Sequence, residues 1–448
     1  MRQLPVNHGK EGLRGNPSRD GLCLKSQLQR LLGKKAQSTL ILLLSLAQTP
    51  PLKAGELHEN FIMVRSLGMG GAFTAIANDA SAVWGNPAGI GRIRKARSQQ
   101  KIHHVTFPNV IGGGNKSGSK FYTTLQKSQT DAQENIADTL QTGSSDLSET
   151  PLYVTAATSP LVYFSPSKYS PPTVVGIFGT TCMNVMIDDS DDTDSSNDTA
   201  QVESVSDTGL IMGLSWDNFA NRLNFGLALR PMIRYSYNDK VDLTTLTDRS
   251  ALQKAITTQG NSWNGVGIDA GFLFTVADFW FPTVGVAILN LPTGCQDDYL
   301  NPFEERRMAV CGTKFSGTTR NSEDTNIIAP TDTRIGLSIT PRLSHDIGLR
   351  FAVDIHHIYY TSGDQTYGLS GIEPLRQSHA GIELFTGNPL LLSPFSLRAG
   401  VGEGFASLGA TVRFSFITME VASYGKDIST STSPKEDRRI VGSLTGEF

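Results

Sequence analysis

The chain has 448 residues, of which 18% are charged and 44 are glycine, with a formal net charge of −3. That length admits one large domain or two to three ordinary ones, and the sequence holds no uninterrupted apolar run near the roughly eighteen residues that a membrane-crossing helix needs. Nucleic acid is an improbable partner, because binding it depends on clustered basic residues.

Residues 1–54 read as an export signal with an extended front end. Lys34 and Lys35 precede the apolar stretch 40–47 (LILLLSLA), which is too short to span a bilayer, and Pro50 and Pro51 end it. Ala54 before Gly55 marks the expected cleavage point, with 45–47 a second candidate. This segment carries nine of the 39 basic and two of the 42 acidic residues, so the remainder of the chain has a formal charge of about −10.

Residues 55–97 form a second unit, dense in Gly and Ala: RSLGMGGAFTAIANDASAVWGNPAGIGR at 65–92. Gly68, Gly70 and Gly71 allow close backbone approach, and the spacing of Phe73, Ile76, Ala77 and Ala80 predicts a short helix over 72–83. Asn86-Pro87 ends it and Gly89 turns the chain. A dinucleotide loop is the competing reading of Gly68-x-Gly70. No strand precedes it, however, and Phe73 stands where the third glycine belongs.

From residue 98 to 448 the text changes to short alternating runs. Period-two alternation predicts fourteen strands, at 98–109, 151–163, 172–187, 204–216, 223–238, 262–275, 282–290, 331–341, 347–360, 377–386, 394–402, 406–415, 418–424 and 439–448. An even count lets an antiparallel barrel close with both ends on one side. The intervening gaps sort by parity: every second one is long except 403–405, and the others are short. Outer-membrane barrels show this asymmetry, and a soluble sandwich has no reason to.

In the last strand Ile440, Gly442, Leu444, Gly446 and Phe448 share one face and are expected against lipid. Leu408, Ala410, Val412 and Phe414 do the same in an earlier strand, with Arg413 on the lumenal face. Trp216, Tyr235, Tyr237, Trp263, Phe279, Trp280, Phe281, Tyr359, Tyr360 and Tyr424 lie near strand ends, as interfacial aromatic girdles do. Cys295 and Cys311 flank one polar segment, and in an oxidising compartment they can close it as a disulfide; two unpaired thiols are the alternative.

Few residues suggest chemistry. The acidic loop at 188–198 lacks the glycine and distal glutamate of a calcium loop. His356 and His357, read as strand residues, point to opposite faces and cannot grip one ion together. Thr130 to Gly143 is expected to form a short amphipathic helix in the first long loop. No catalytic constellation, zinc spacing or cofactor motif is present, so neither enzymatic activity nor a metal or cofactor is expected.

GMGGAFTAIANDASAVWGNPAGI resembles the N-terminal signature of the FadL superfamily of bacterial outer-membrane barrels, closest to its PorV-like and TraF-like branches. The motif residues are Gly68, Met69, Gly70, Gly71, Asp79, Asn86, Pro87 and Gly89. The closing run 379–424 resembles the last strands of PorV-like barrels, and terminal Phe448 resembles the signal read by the barrel-assembly machinery. The resemblance implies an all-β transmembrane barrel with its N-terminal unit as a hatch in or under the lumen, surrounded by outer-membrane lipid and lipopolysaccharide. It implies two functions: a passive channel for small hydrophobic molecules such as fatty acids, or an accessory of a secretion or conjugation system that docks partners through its outer loops.

Overall fold

Alternating apolar residues make strands because each second side chain leaves the same face of a pleated sheet. The computed structural model describes residues 59–96, 104–115, 151–164, 170–188, 199–218, 222–242, 250, 254, 258, 260–300, 307–318, 324–344, 346–362, 365–368, 374–387, 393–429 and 434–448. The expected export signal, the loop helix at 130–143 and most of the acidic loop lie outside the described residues.

The strands, in chain order, are β1 (His104–Asn115), β2 (Leu152–Thr158), β3 (Leu161–Phe164), β4 (Thr173–Asp188), β5 (Thr199–Asn218), β6 (Leu223–Asp242), β7 (Asn261–Thr275) and β8 (Thr283–Leu289). There follow β9 (Gly294–Leu300), β10 (Arg307–Thr318), β11 (Asp324–Pro330), β12 (Asp332–Ile339), β13 (Ile347–Ile355), β14 (Tyr359–Ser362) and β15 (Gln365–Gly368). The last five are β16 (Ser378–Thr386), β17 (Phe395–Gly402), β18 (Phe405–Phe414), β19 (Ile417–Asp427) and β20 (Glu436–Glu447).

They build a closed antiparallel barrel of fourteen wall positions, because β20 returns to pair with β1 through Gly442 opposite Gly112. Three positions are shared: β2 and β3 follow each other along one, β8 and then β10 along another, and β11 and β12 along a third. Two of the predicted long gaps are therefore partly ordered. The stretch 291–330 contains β9, β10 and β11, and 361–376 contains β15 and the start of a short helix, Pro374–Gln377. Polarity hid them, since strands at or above the headgroup level need no apolar face. The first strand runs at 104–115, later than the predicted 98–109, because Gly112 to Gly114 pair with β20 where a turn would be the usual reading.

The outer face carries the apolar set. Ile440 and Leu444 are exposed while Val441 and Arg439 are buried, and Leu408 and Phe414 are exposed while Ser407 and Thr411 are buried. Exposed aromatics gather at the short-turn end, among them Phe107, Trp216, Phe279, Trp280, Phe414 and Phe448. Tyr237, Trp263 and Tyr424, expected in a girdle, are instead buried. Proximity to a strand end does not say which face a residue takes.

The predicted strand at 347–360 stops at Ile355, and His357 takes a positive φ of 53°. His356 keeps the buried face of Asp354, and His357 turns in to join it, with ring centroids 6.0 Å apart, instead of pointing to the opposite face. Among the described residues no group of three or more His, Cys, Asp or Glu is arranged to hold a metal ion.

Candidate functional site

The interior is filled by the N-terminal unit. Its elements are α1 (Val64–Gly68), α2 (Ala82–Gly85), a turn of 3-10 helix (Pro87–Gly89) and α3 (Ile90–Ala96). The predicted helix over 72–83 is absent: the segment 72–81 runs in turns, and only 82–85 is helical. Its backbone donors are used elsewhere. The N–H groups of Phe73 and Thr74 donate to the Asp354 carboxylate at 2.7 and 2.6 Å, and that of Ser81 donates to Asp79 at 2.9 Å.

The motif residues have distinct seats. Gly70 and Gly71 adopt φ of 67° and 92°, and a side chain on Gly70 would overlap the Val401 backbone. The Gly70 carbonyl meets His379 Nδ1 at 2.7 Å. Met69 is fully buried, and Gly68 packs so that an added Cβ would lie 3.0 Å from the Gly409 Cα. Asn86 caps the following turn by accepting from the Ala88 N–H at 3.2 Å, with Pro87 at the first position, and donates to the Thr74 carbonyl at 2.8 Å. Gly89 leaves room for Ala77 and Ala82. The wall answers with glycines of its own: Gly226, Gly271, Gly285, Gly381, Gly400 and Gly409 face hatch backbone where no Cβ fits. Glycine weakens a strand, so this inward set marks where another backbone must approach.

Two sides of the lumen hold the hatch differently. On the β13–β18 side the contact is ionic. Arg65 donates to Glu383 at 2.9 Å, to Asn78 at 2.7 Å and to Asp79 at 2.5 Å. Arg398, at 2.8 Å, and Arg350 donate to the same Glu383. Burial raises the Asp79 pKa, but Arg65 and the Ser81 bonds outweigh it and hold the carboxyl below its ordinary range. A cavity of about 110 Å³ reaches this cluster, lined in part by Asp79, Arg398, Arg413 and Glu447. Sequence reasoning placed Arg413 in the lumen but missed Glu383, whose only signal is a carboxylate on the inward phase of an alternating strand.

On the β4–β7 side the contact is aromatic and apolar around Trp84, beside a buried ion pair of the wall in which Arg230 donates to Asp269 at 2.8 Å with its guanidinium 5.8 Å from the Trp84 ring. Trp84 stacks on Phe61 with centroids 4.2 Å apart and meets Phe178 edge-on at 4.9 Å. Met232 joins the same buried cluster. Here the wall is interrupted. Pro231 lacks an N–H to donate, and pairing of β5 with β6 lapses between Gly209–Met232 and Met212–Leu229. On its other edge β7 pairs with β10 up to Gly265 and with β8 from Ala270 onward, and between them the Ile268 carbonyl accepts from Leu291 N–H at 2.7 Å. Outside this interruption lies a groove of about 900 Å³, lined by Ile177, Leu210, Ile233 and Val266, which Phe178 and Met232 reach from the inner face.

The remaining predicted residues lie away from the hatch. Cys295 and Cys311 are disulfide-bonded, opposite each other at the base of the β9–β10 hairpin. Phe448 exchanges backbone hydrogen bonds with Val105, both 2.9 Å, and its exposed ring stacks on Phe416.

No protein-family model matches the chain, and no curated protein matches it in sequence. Solved structures are similar in fold. A mutant of the monoaromatic hydrocarbon channel TodX is 9% identical, covering 86% of this chain and 99% of its own, with a TM-score of 0.48. The Pseudomonas putida toluene transporter TodX is 11% identical, covering 87% and 99%, with a TM-score of 0.46. A Pseudomonas aeruginosa FadL homologue is 13% identical, covering 88% and 99%, with a TM-score of 0.43. The closed barrel is established by its own strand pairing.

Proposed function

We propose that the chain is a FadL-superfamily channel of the bacterial outer membrane, through which small apolar molecules pass without an energy source. The observation that supports this reading is the interruption at Pro231 and Val266. It sets an apolar, aromatic cluster at the hatch edge beside an apolar groove on the lipid face. A solute leaving water for such a route gains about 0.8 kcal/mol per buried CH₂, and can continue sideways into the bilayer without crossing the Arg65–Glu383 cluster. Fatty acids fall within this class by the length of their apolar tails. The route needs no cofactor, metal or catalysis.

The test uses the full-length protein in vesicles whose outer leaflet is lipopolysaccharide, with uptake of a small naphthylamine dye that fluoresces on entering lipid. The expected result is uptake well above empty vesicles, with a sulfonated dye of the same size excluded. A barrel that only docks partners leaves dye uptake at the empty-vesicle rate, which would contradict the channel.

A further inference from the structure

The groove outside Pro231 has a second character at its upper rim. Val266 lies nine residues from Thr275, the short-turn end of β7. At a rise of about 3.4 Å per residue and a tilt near 40°, that is about 23 Å up a band about 25 Å tall. Below this level the lining is apolar, with Ile177, Leu210 and Val266 exposed. Around and above it the lining turns polar, with Asn264, Thr293, Ser316 and Lys314.

Lys314 is the informative residue. Thr313 and Phe315 on either side are fully buried, so alternation sends Lys314 outward, where it is exposed. Its carbon stem lies across Gly294, where an added Cβ would come within 2.8 Å of it. Lys314 forms no salt bridge with a carboxylate among the described residues. A lone cation on a lipid-facing wall is costly at mid-depth and tolerable only near the headgroups.

We infer that this groove seats a phosphate-bearing lipid of the outer leaflet, its phosphate on the Lys314 ammonium and one acyl chain along Ile177, Leu210 and Val266. Asn264, Thr293 and Ser316 stand at the level of the headgroup and supply hydrogen bonds to it. The seat shares its groove with the proposed exit route, but the assignment itself needs only the outer face of the wall.

Native mass spectrometry of the full-length protein released from detergent tests it, with added lipid A compared against lipid A stripped of its phosphates. The expected result is a retained phosphorylated lipid, lost about fivefold in Lys314→Gln and restored in Lys314→Arg. Fivefold corresponds to about 1 kcal/mol for one basic residue at an anionic surface. A second variant, Leu210→Trp, fills the groove and should lower retention with Lys314 intact. Equal retention of both lipids, or retention unchanged in Lys314→Gln, would overturn the assignment. Dye uptake by the unmodified protein, measured alongside, reads the channel without reference to lipid retention, so failure here is distinguishable from failure of the channel.

Discussion

The two sides of the lumen hold the hatch through different contacts. Against β13–β18 the hatch is bound through Arg65, Asp79 and Glu383, groups that are costly to bury singly and hold geometry when paired. Against β4–β7 it presents Phe61 and Trp84 to Phe178 and Met232, contacts that have no direction and can re-form around a guest. The wall follows the same division: its backbone pairing is continuous from β16 to β20 and interrupted at Pro231. One side is held by paired charge and unbroken strand pairing, the other by apolar contact across an interrupted wall.

Breaking the anchor should have the largest effect. Glu383→Ala leaves Arg65, Arg350 and Arg398 without their shared carboxylate, a loss of about 3–5 kcal/mol by the cost of orphaning buried charge. Thermal unfolding in detergent should show it, together with cleavage of the 59–96 segment by added protease. Leu408→Lys, on the lipid face of the anchor side, should cost about 2–4 kcal/mol at mid-depth. That loss would appear as reduced insertion into vesicles with the hatch still protected. Gly400→Val should be milder in stability, about 1–3 kcal/mol for overpacking, yet specific in kind. It pushes on Met69 and should expose the hatch to protease before the barrel melts.

Acid should act last and least. The Asp79 carboxyl titrates below its ordinary range in the folded chain, so the unfolded chain binds its proton first as pH falls. Its contribution is whole above the unfolded value of about 3.9 and is lost as pH drops through the lower folded value. Hatch protection should therefore be constant from neutral pH to about 5 and weaken only below about 4. Weakening already near pH 6 would contradict this role of Asp79.

Much of this barrel was legible because lipid imposes a strict rule on every second residue. β4 to β8, β12, β13 and β16 to β20 could be placed within a few residues from alternation alone. The rule lapses where lipid does. β9, β10 and β11 lie in a polar stretch and were unreadable, and His357 left its expected face because the strand ends at Ile355 and residue 357 takes a positive φ. For the hatch, the glycine and Asn86-Pro87 positions were readable as places of close approach. The partners were not, since Glu383 and Gly400 lie more than 300 residues from Arg65 and Met69 and only barrel closure brings them together.

Dye uptake in two matched variants tests the division of the lumen most directly. Val266→Trp fills the outer groove at the wall interruption, while Leu408→Trp adds similar bulk to the lipid face of the anchor side. The account predicts uptake falling several-fold in Val266→Trp and unchanged in Leu408→Trp. Equal uptake in both, or a fall confined to Leu408→Trp, would contradict it.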